Sequence, residues 1–304
     1  MPSPAERSAT HPEESAGDSW KSGPYCALNH TFVVRTNASD TFQPRLERQL
    51  APLLCPASMG AERVEAHHYR LEDRREPGAN RYAVFDNDVL VTTSPSRFVA
   101  AGTIHWLANQ GAVTSCDPAS VQLHAGAVQL AEATLVLPAP MDSGKSTTVA
   151  AMVRRGFTYL TDEIVELTAR GEIHRSYPKA LSLDRSSIDL LGGIPEPFAG
   201  AAREPQWHVP AGWLGPAPEP RLPTTVAALI FPVYTPQTAS ELVPMTPGEA
   251  AVSLAESTFR FPERSARSMP VLTNLAEQAP AFRLFIDDLD EGVSALASLV
   301  DELT

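Results

Sequence analysis

Ala139-Pro140-Met141-Asp142-Ser143-Gly144-Lys145-Ser146, with Thr147 behind it, joins the apolar run Ala133-Thr134-Leu135-Val136-Leu137 to the helix-forming stretch Thr147 to Val153. Strand, Gly-Lys-Ser loop and helix, in that order, are what a phosphate-binding loop requires. Backbone N–H groups of the loop and helix start point at phosphate oxygens, and the helix dipole adds to the attraction. Lys145 is placed to reach the β- and γ-phosphates, and the Ser146 hydroxyl to take a position on Mg²⁺. Residues 139–147 are therefore the expected nucleotide site, with a nucleoside triphosphate and Mg²⁺ as the bound species. Ala139 stands where such loops usually carry their first glycine, so this loop must turn there with ordinary dihedrals. Pro140 pushes Ala139 further towards an extended conformation.

Two carboxylates stand ready to work on what the loop binds. Asp162 lies 17 positions after Lys145, with Glu163 beside it, at the end of the apolar run Phe157 to Leu160. The spacing predicts a strand directly after the loop helix, lying next to the loop strand, with its C-terminal end on the phosphates. There one acid can hold Mg²⁺ while the other accepts the proton of an attacking hydroxyl. His124 sits on a predicted strand ahead of the loop. On its own, a histidine there reads more often as a structural residue.

The positioning elements follow from pattern. Residues 121–125 and 127–130 alternate as strands, and the loop helix should end at Arg154-Arg155-Gly156, cations in its last turn and a glycine beyond. Ala169-Arg170-Gly171 reads as a hairpin turn between 164–167 and 172–174. Val226 to Phe231 is a fully apolar strand, and Thr246-Pro247-Gly248-Glu249 a capping box opening a helix to about Ser257. A helix near 268–278, a strand at 282–285 and a helix from Glu291 to Leu303 complete the chain. Upstream, Ala27 to Arg35 reads as one strand. Residues 81–85 and 89–91 form a hairpin about Asp86-Asn87-Asp88, and Ser94-Pro95 opens a helix to about Gln110. Residues 195–224 hold eight prolines and two tryptophans without a period. So long an irregular stretch reads as a functional flap, in which Trp207, His208 and Trp213 either cover an acceptor or anchor the loop. Arg175 and Lys179 are candidate contacts to the γ-phosphate or acceptor, or solvated charges at a strand end.

A chain of 304 residues with 43% hydrophobic and 20% charged residues can bury a full core. The expected organisation is a disordered leader over 1–23, a small α+β domain over 24–118 and an α/β nucleotide-binding domain over 119–304. A net charge of −12 argues against nucleic acid or an anionic membrane as a partner. Cys26, Cys55 and Cys116 are odd in number and lack metal-ligand spacing, which reads as reduced thiols in the cytoplasm. No apolar run is long enough to span a bilayer, and the first residues do not resemble a signal peptide.

His124-Ala125, the loop, Arg154-Arg155-Gly156 and Thr161-Asp162-Glu163 together resemble the catalytic domain of the HPr kinase/phosphorylase family, clearly over about residues 120–185. The resemblance implies a P-loop kinase fold related to phosphoenolpyruvate carboxykinase and ATP- and Mg²⁺-dependent phosphorylation of a serine-like hydroxyl. By the same resemblance Asp162 is the base, His124 tunes it, Glu163 joins Ser146 on Mg²⁺, and Lys145 neutralises the transferring group. Homo-oligomers are common in that family. Ala125, Ala139 and Glu163 depart from its pattern, and the Arg-Gly-Leu-Gly stretch of the phosphocarrier kinases has no counterpart. The expected acceptor is thus a small molecule or a biosynthetic peptide rather than a phosphocarrier protein. The competing expectation is a catalytically silent nucleotide-binding regulatory or scaffold protein. A GTPase is disfavoured because no Asn-Lys-x-Asp motif occurs.

Overall fold

The computed structural model describes residues 20–56, 66–75, 80–140, 143–193, 206–216 and 218–304. Most of the expected leader, part of the Pro-rich segment, and Met141 and Asp142 of the loop lie outside the described residues. Two sheets organise the rest. The first contains β1 (Trp20–Ala27), β2 (His30–Thr36), β3 (His67–Asp73), β4 (Tyr82–Asp86) and β5 (Val89–Ser94), side by side in that order. All neighbours are antiparallel except β2 and β3. That parallel pair needs a crossover, and α1 (Ser39–Leu50) lies within it. Phe42, Leu46 and Leu50 recur every fourth residue on α1. They share one core with Ala100, Ile104 and Leu107 of α2 (Arg97–Thr114) and with Phe32, Val34, Tyr69, Leu71 and Val84 of the sheet.

Two sequence expectations change here. The single strand over 27–35 is a hairpin that turns at Leu28, whose φ is 55°. Gly23 and Pro24 inside β1 hide its strand character. Cys26 and Cys55 are also not reduced thiols: they form a disulfide. A bridge between Tyr25 and Leu54, and a bond from the Cys55 N–H to the Pro24 carbonyl, bring the two together. Cys116 remains as a buried free thiol. No helix among the described residues is long and apolar enough to cross a membrane.

The second sheet runs β13 (Glu241–Met245), β14 (Ala281–Ile286), β12 (Val226–Tyr234), β7 (Ala133–Pro138), β6 (Val121–Leu130), β8 (Thr158–Thr161), with β9 (Ile164–Leu167) also paired to β6. β7, β12 and β14 are parallel, and β6 and β13 run against them. Side chains alternate between two cores. Leu135, Leu137, Ala228 and Ile230 face α3 (Lys145–Arg154) and α7 (Leu289–Leu303). Val136, Leu229 and Phe231 face α5 (Pro247–Glu256) and α6 (Phe261–Gln278). The result is a three-layer α/β arrangement. A two-stranded ribbon, β10 (Leu181–Leu183) and β11 (Trp207–Val209), lies on the α3 side, with α4 (Arg185–Leu190) between its strands in sequence.

Among the described residues three histidines are buried, and burial is the largest cause lowering each. His30 falls to about 4, with His67 adding to the effect; His208 falls to about 3, with Lys179 and Arg45 adding; His105 falls well below its usual range. An unfolded chain protonates them near 6.5. Between that pH and about 4 the unfolded state therefore binds more protons, so stability is lost as pH falls. The slope is about 1.4 kcal/mol per pH unit for each extra proton. Thermal unfolding is expected at progressively lower temperature from pH 6.5 to 4.5, and His30→Gln is expected to flatten that dependence. An unchanged slope in the variant would show that His30 does not stay neutral in the fold.

Candidate functional site

β7 ends at Pro138 and α3 starts at Lys145, so the loop expected from sequence joins a buried strand to a helix. Its turn into the helix is made by Gly144, at φ 82°, a left-handed conformation that side chains disfavour. Ala139 is buried, keeps a negative φ, and donates its N–H to the His124 carbonyl. Pro140 is exposed. The Ser143 hydroxyl is buried without a partner. Ser146 hydrogen-bonds Asp162. Thr147 turns its hydroxyl to Ser187 of α4 at 2.7 Å, so that side chain braces the loop helix from behind.

The expected pairing of β8 with β7 is not found. β6 lies between them, antiparallel to both, so β7 and β8 still run the same way and end on the same side of the sheet. β8 and β9 follow β6 in nearly continuous register and break at Asp162-Glu163, where the Glu163 main-chain carbonyl accepts from the Ala125 N–H. The broken ladder turns both acids towards the loop. Gly126 lets α3 close on β6: a Cβ there would stand 2.6 Å from the Val149 side chain. His124, two residues before, is fixed by its N–H to the Ser257 carbonyl at 2.7 Å and lies edge-on to Phe259.

Five ionisable groups meet at this point. Lys145 Nζ donates to His124 Nε2 at 2.9 Å, and His124 Nε2 is 3.6 Å from Glu163 Oε1. Lys179 Nζ reaches Asp162 Oδ1 at 2.8 Å, Glu163 Oε2 at 3.5 Å and its own neighbour's carbonyl, Ala180, at 3.2 Å. Burial drags Lys145 down to about 8 against the upward pull of Glu163 and Asp162. His124 is lowered too, by burial first and by Lys145 second, so it is a neutral imidazole whose Nε2 accepts from the lysine. Burial also works against the charged forms of Asp162 and Lys179. For Asp162 it is outweighed by Lys179, Tyr159 and Ser146, and for Lys179 by the two carboxylates, so both stay ionised.

The two acids occupy different environments. The Asp162 side chain is completely enclosed and takes bonds from Lys179, from the Tyr159 hydroxyl at 2.8 Å and from the Ser182 N–H at 3.4 Å, besides Ser146. Glu163 keeps a quarter of its side chain in solvent. Glu163 is therefore the acid of the pair that solvent reaches. The acid in contact with Ser146 is Asp162, not Glu163.

Lys179, expected either as a phosphate or acceptor contact or as a solvated charge, is buried in the cluster. Arg175 is outside it, paired with Glu166 and bonded to Asn29. Trp207 and His208 are buried in the ribbon, as anchoring side chains are, while Trp213 is exposed. Tyr159 and Ser182 were not expected. One signal was available for Lys179: the chain has 21 arginines and only three lysines, Lys21, Lys145 and Lys179. Two of the three are buried here, where a compact ammonium fits and a planar guanidinium does not.

A nucleoside triphosphate fits these residues. The Ser143 hydroxyl is unpartnered, α3 and its N-terminal amides start two residues later, and both buried lysines belong to the cluster around Glu163. No group of three or more His, Cys, Asp or Glu among the described residues is able to hold a metal by itself. No protein-family model matches the chain, and no curated protein matches it.

Proposed function

We propose that the chain is an ATP-dependent kinase of the HPr kinase-like, P-loop type that transfers the γ-phosphoryl group to a serine-like hydroxyl of a small molecule or biosynthetic peptide. The observation that carries the reading is the Lys145–His124–Glu163–Lys179–Asp162 cluster at the mouth of a Gly144-turned loop. Binding a nucleotide alone requires no second buried lysine and no histidine-carboxylate pair.

Loop 139–147 holds the phosphates through its amides, and Lys145 leaves His124 for a phosphate oxygen. Ser146 and Asp162 are the residues that would hold Mg²⁺, which supplies charge neutralisation across the phosphates when bound. Glu163 then accepts the acceptor-hydroxyl proton, with His124 beside it as a neutral partner. Lys179 keeps the two carboxylates from repelling each other and adds positive charge where the transferred group gathers negative charge.

One observation favours a second reading, a nucleotide-binding protein without catalysis. Asp162 is enclosed and saturated with donors, so a metal must displace one of them. Incubation with γ-labelled ATP and Mg²⁺, offering serine, threonine, simple sugars and small hydroxyl-bearing peptides, separates the two. Label on a hydroxyl compound, absent with Glu163→Gln, is the expected result. Tight ATP binding with no transfer to any acceptor establishes the second reading.

A further inference from the structure

What lies behind Lys179 is helix α2 of the first sheet. His105 of α2 stacks on His208 of β11, with ring centroids 4.0 Å apart and planes 19° from parallel. His105 Nε2 bonds Gln49 Oε1 of α1 at 3.1 Å, and His208 Nδ1 meets the Ser182 hydroxyl at 3.2 Å. The Ser182 N–H in turn reaches Asp162. One turn further along α2, Asn109 Oδ1 accepts from the Tyr177 hydroxyl at 2.7 Å. Tyr177 lies two residues before Lys179 and is packed in the core of the first sheet. Helix α2 therefore grips the chain on both sides of Lys179, at Tyr177 and, through His208, at Ser182. Both histidines are held neutral, so neither ring adds a charge beside the buried ammonium.

We infer that α2 is the rear wall of the phosphate site, and that His105 and Asn109 act, through His208 and Tyr177, as positioning residues for Lys179. The first sheet is on this account a working part of the site rather than an appendage. The effect on rate rests on the kinase reading, but the placement of Lys179 does not.

With only three lysines, the full chain reports that placement directly. Amine acylation at pH 8 followed by peptide mass spectrometry is expected to modify exposed Lys21 and to spare Lys179. In His105→Ala and in Asn109→Ala, Lys179 is expected to lose its protection while Lys21 labelling stays the same. KM for ATP is expected to hold while turnover falls by about a hundredfold, the cost of a misplaced group. His105→Gln, which keeps a planar amide against His208, is expected to restore both. Asn109 is half-buried on the helix surface, so its variant serves where the His105 cavity lowers stability. Lys179 remaining protected in both alanine variants, with turnover unchanged, overturns the inference. Lys179 exposed in the variants while the wild-type chain transfers phosphate to nothing upholds the placement and removes the kinase reading instead.

Discussion

Lys179→Met is expected to destabilise the protein by about 3–5 kcal/mol, because it strands the Asp162 carboxylate in the interior without its counter-charge. Asp162 is enclosed, and Lys179 is its only cationic contact at hydrogen-bond distance among the described residues. Methionine fills a similar volume, so the loss reads charge rather than cavity. The control is the pair Asp162→Asn with Lys179→Met. An amide needs no counter-ion and can still bond Tyr159 and Ser182, so the double variant should be more stable than Lys179→Met alone. Chemical denaturation of the three variants measures this non-additivity. Additive losses would mean that the two side chains contribute independently and that the ion pair does not organise the site.

The second large effect concerns rate. Glu163→Gln removes the one carboxylate of the pair that reaches solvent and keeps its shape. Turnover is expected to fall by about 10²–10⁴, the range for a lost general base, with ATP affinity little altered because the amides and Lys145 of the loop remain. Asp162→Asn should behave differently, raising the Mg²⁺ concentration needed for activity. If Asp162→Asn instead reproduced the pure rate loss and Glu163→Gln did not, the roles first expected from sequence would be restored.

How far the sequence carried depends on whether a feature is local. The loop, its strand, its helix and the Arg154-Arg155-Gly156 stop were legible because apolar runs, caps and glycines act within a few residues. Thr246 and Glu249 form the capping box their spacing announces. Helix α1 and strand β13 were missed: Pro44 interrupts one, and Pro244 the other, and each reads locally as a breaker. Strand order was illegible for a different reason. Either side of β7 satisfies the hydrophobic pattern of 157–160, and only packing of α3 on Gly126 and the long antiparallel β6 decides it. The Cys26–Cys55 pairing likewise depends on a bridge between strands distant in sequence. Which acid is enclosed and which is open depends on Lys179 folding back from beyond β9, which no spacing rule encodes.

Every proposed step needs a triphosphate seated at Lys145. Titration of ATP with Mg²⁺ into the wild-type chain and into Lys145→Ala, followed by calorimetry, tests it most directly. Saturable one-site binding to the wild type, weakened by about 10²–10³ in the variant at unchanged fold, is the predicted result, as for removal of a charged donor from a buried anion site. Equal affinity in the two proteins would contradict it, and the loop would then be an ordinary strand-to-helix turn.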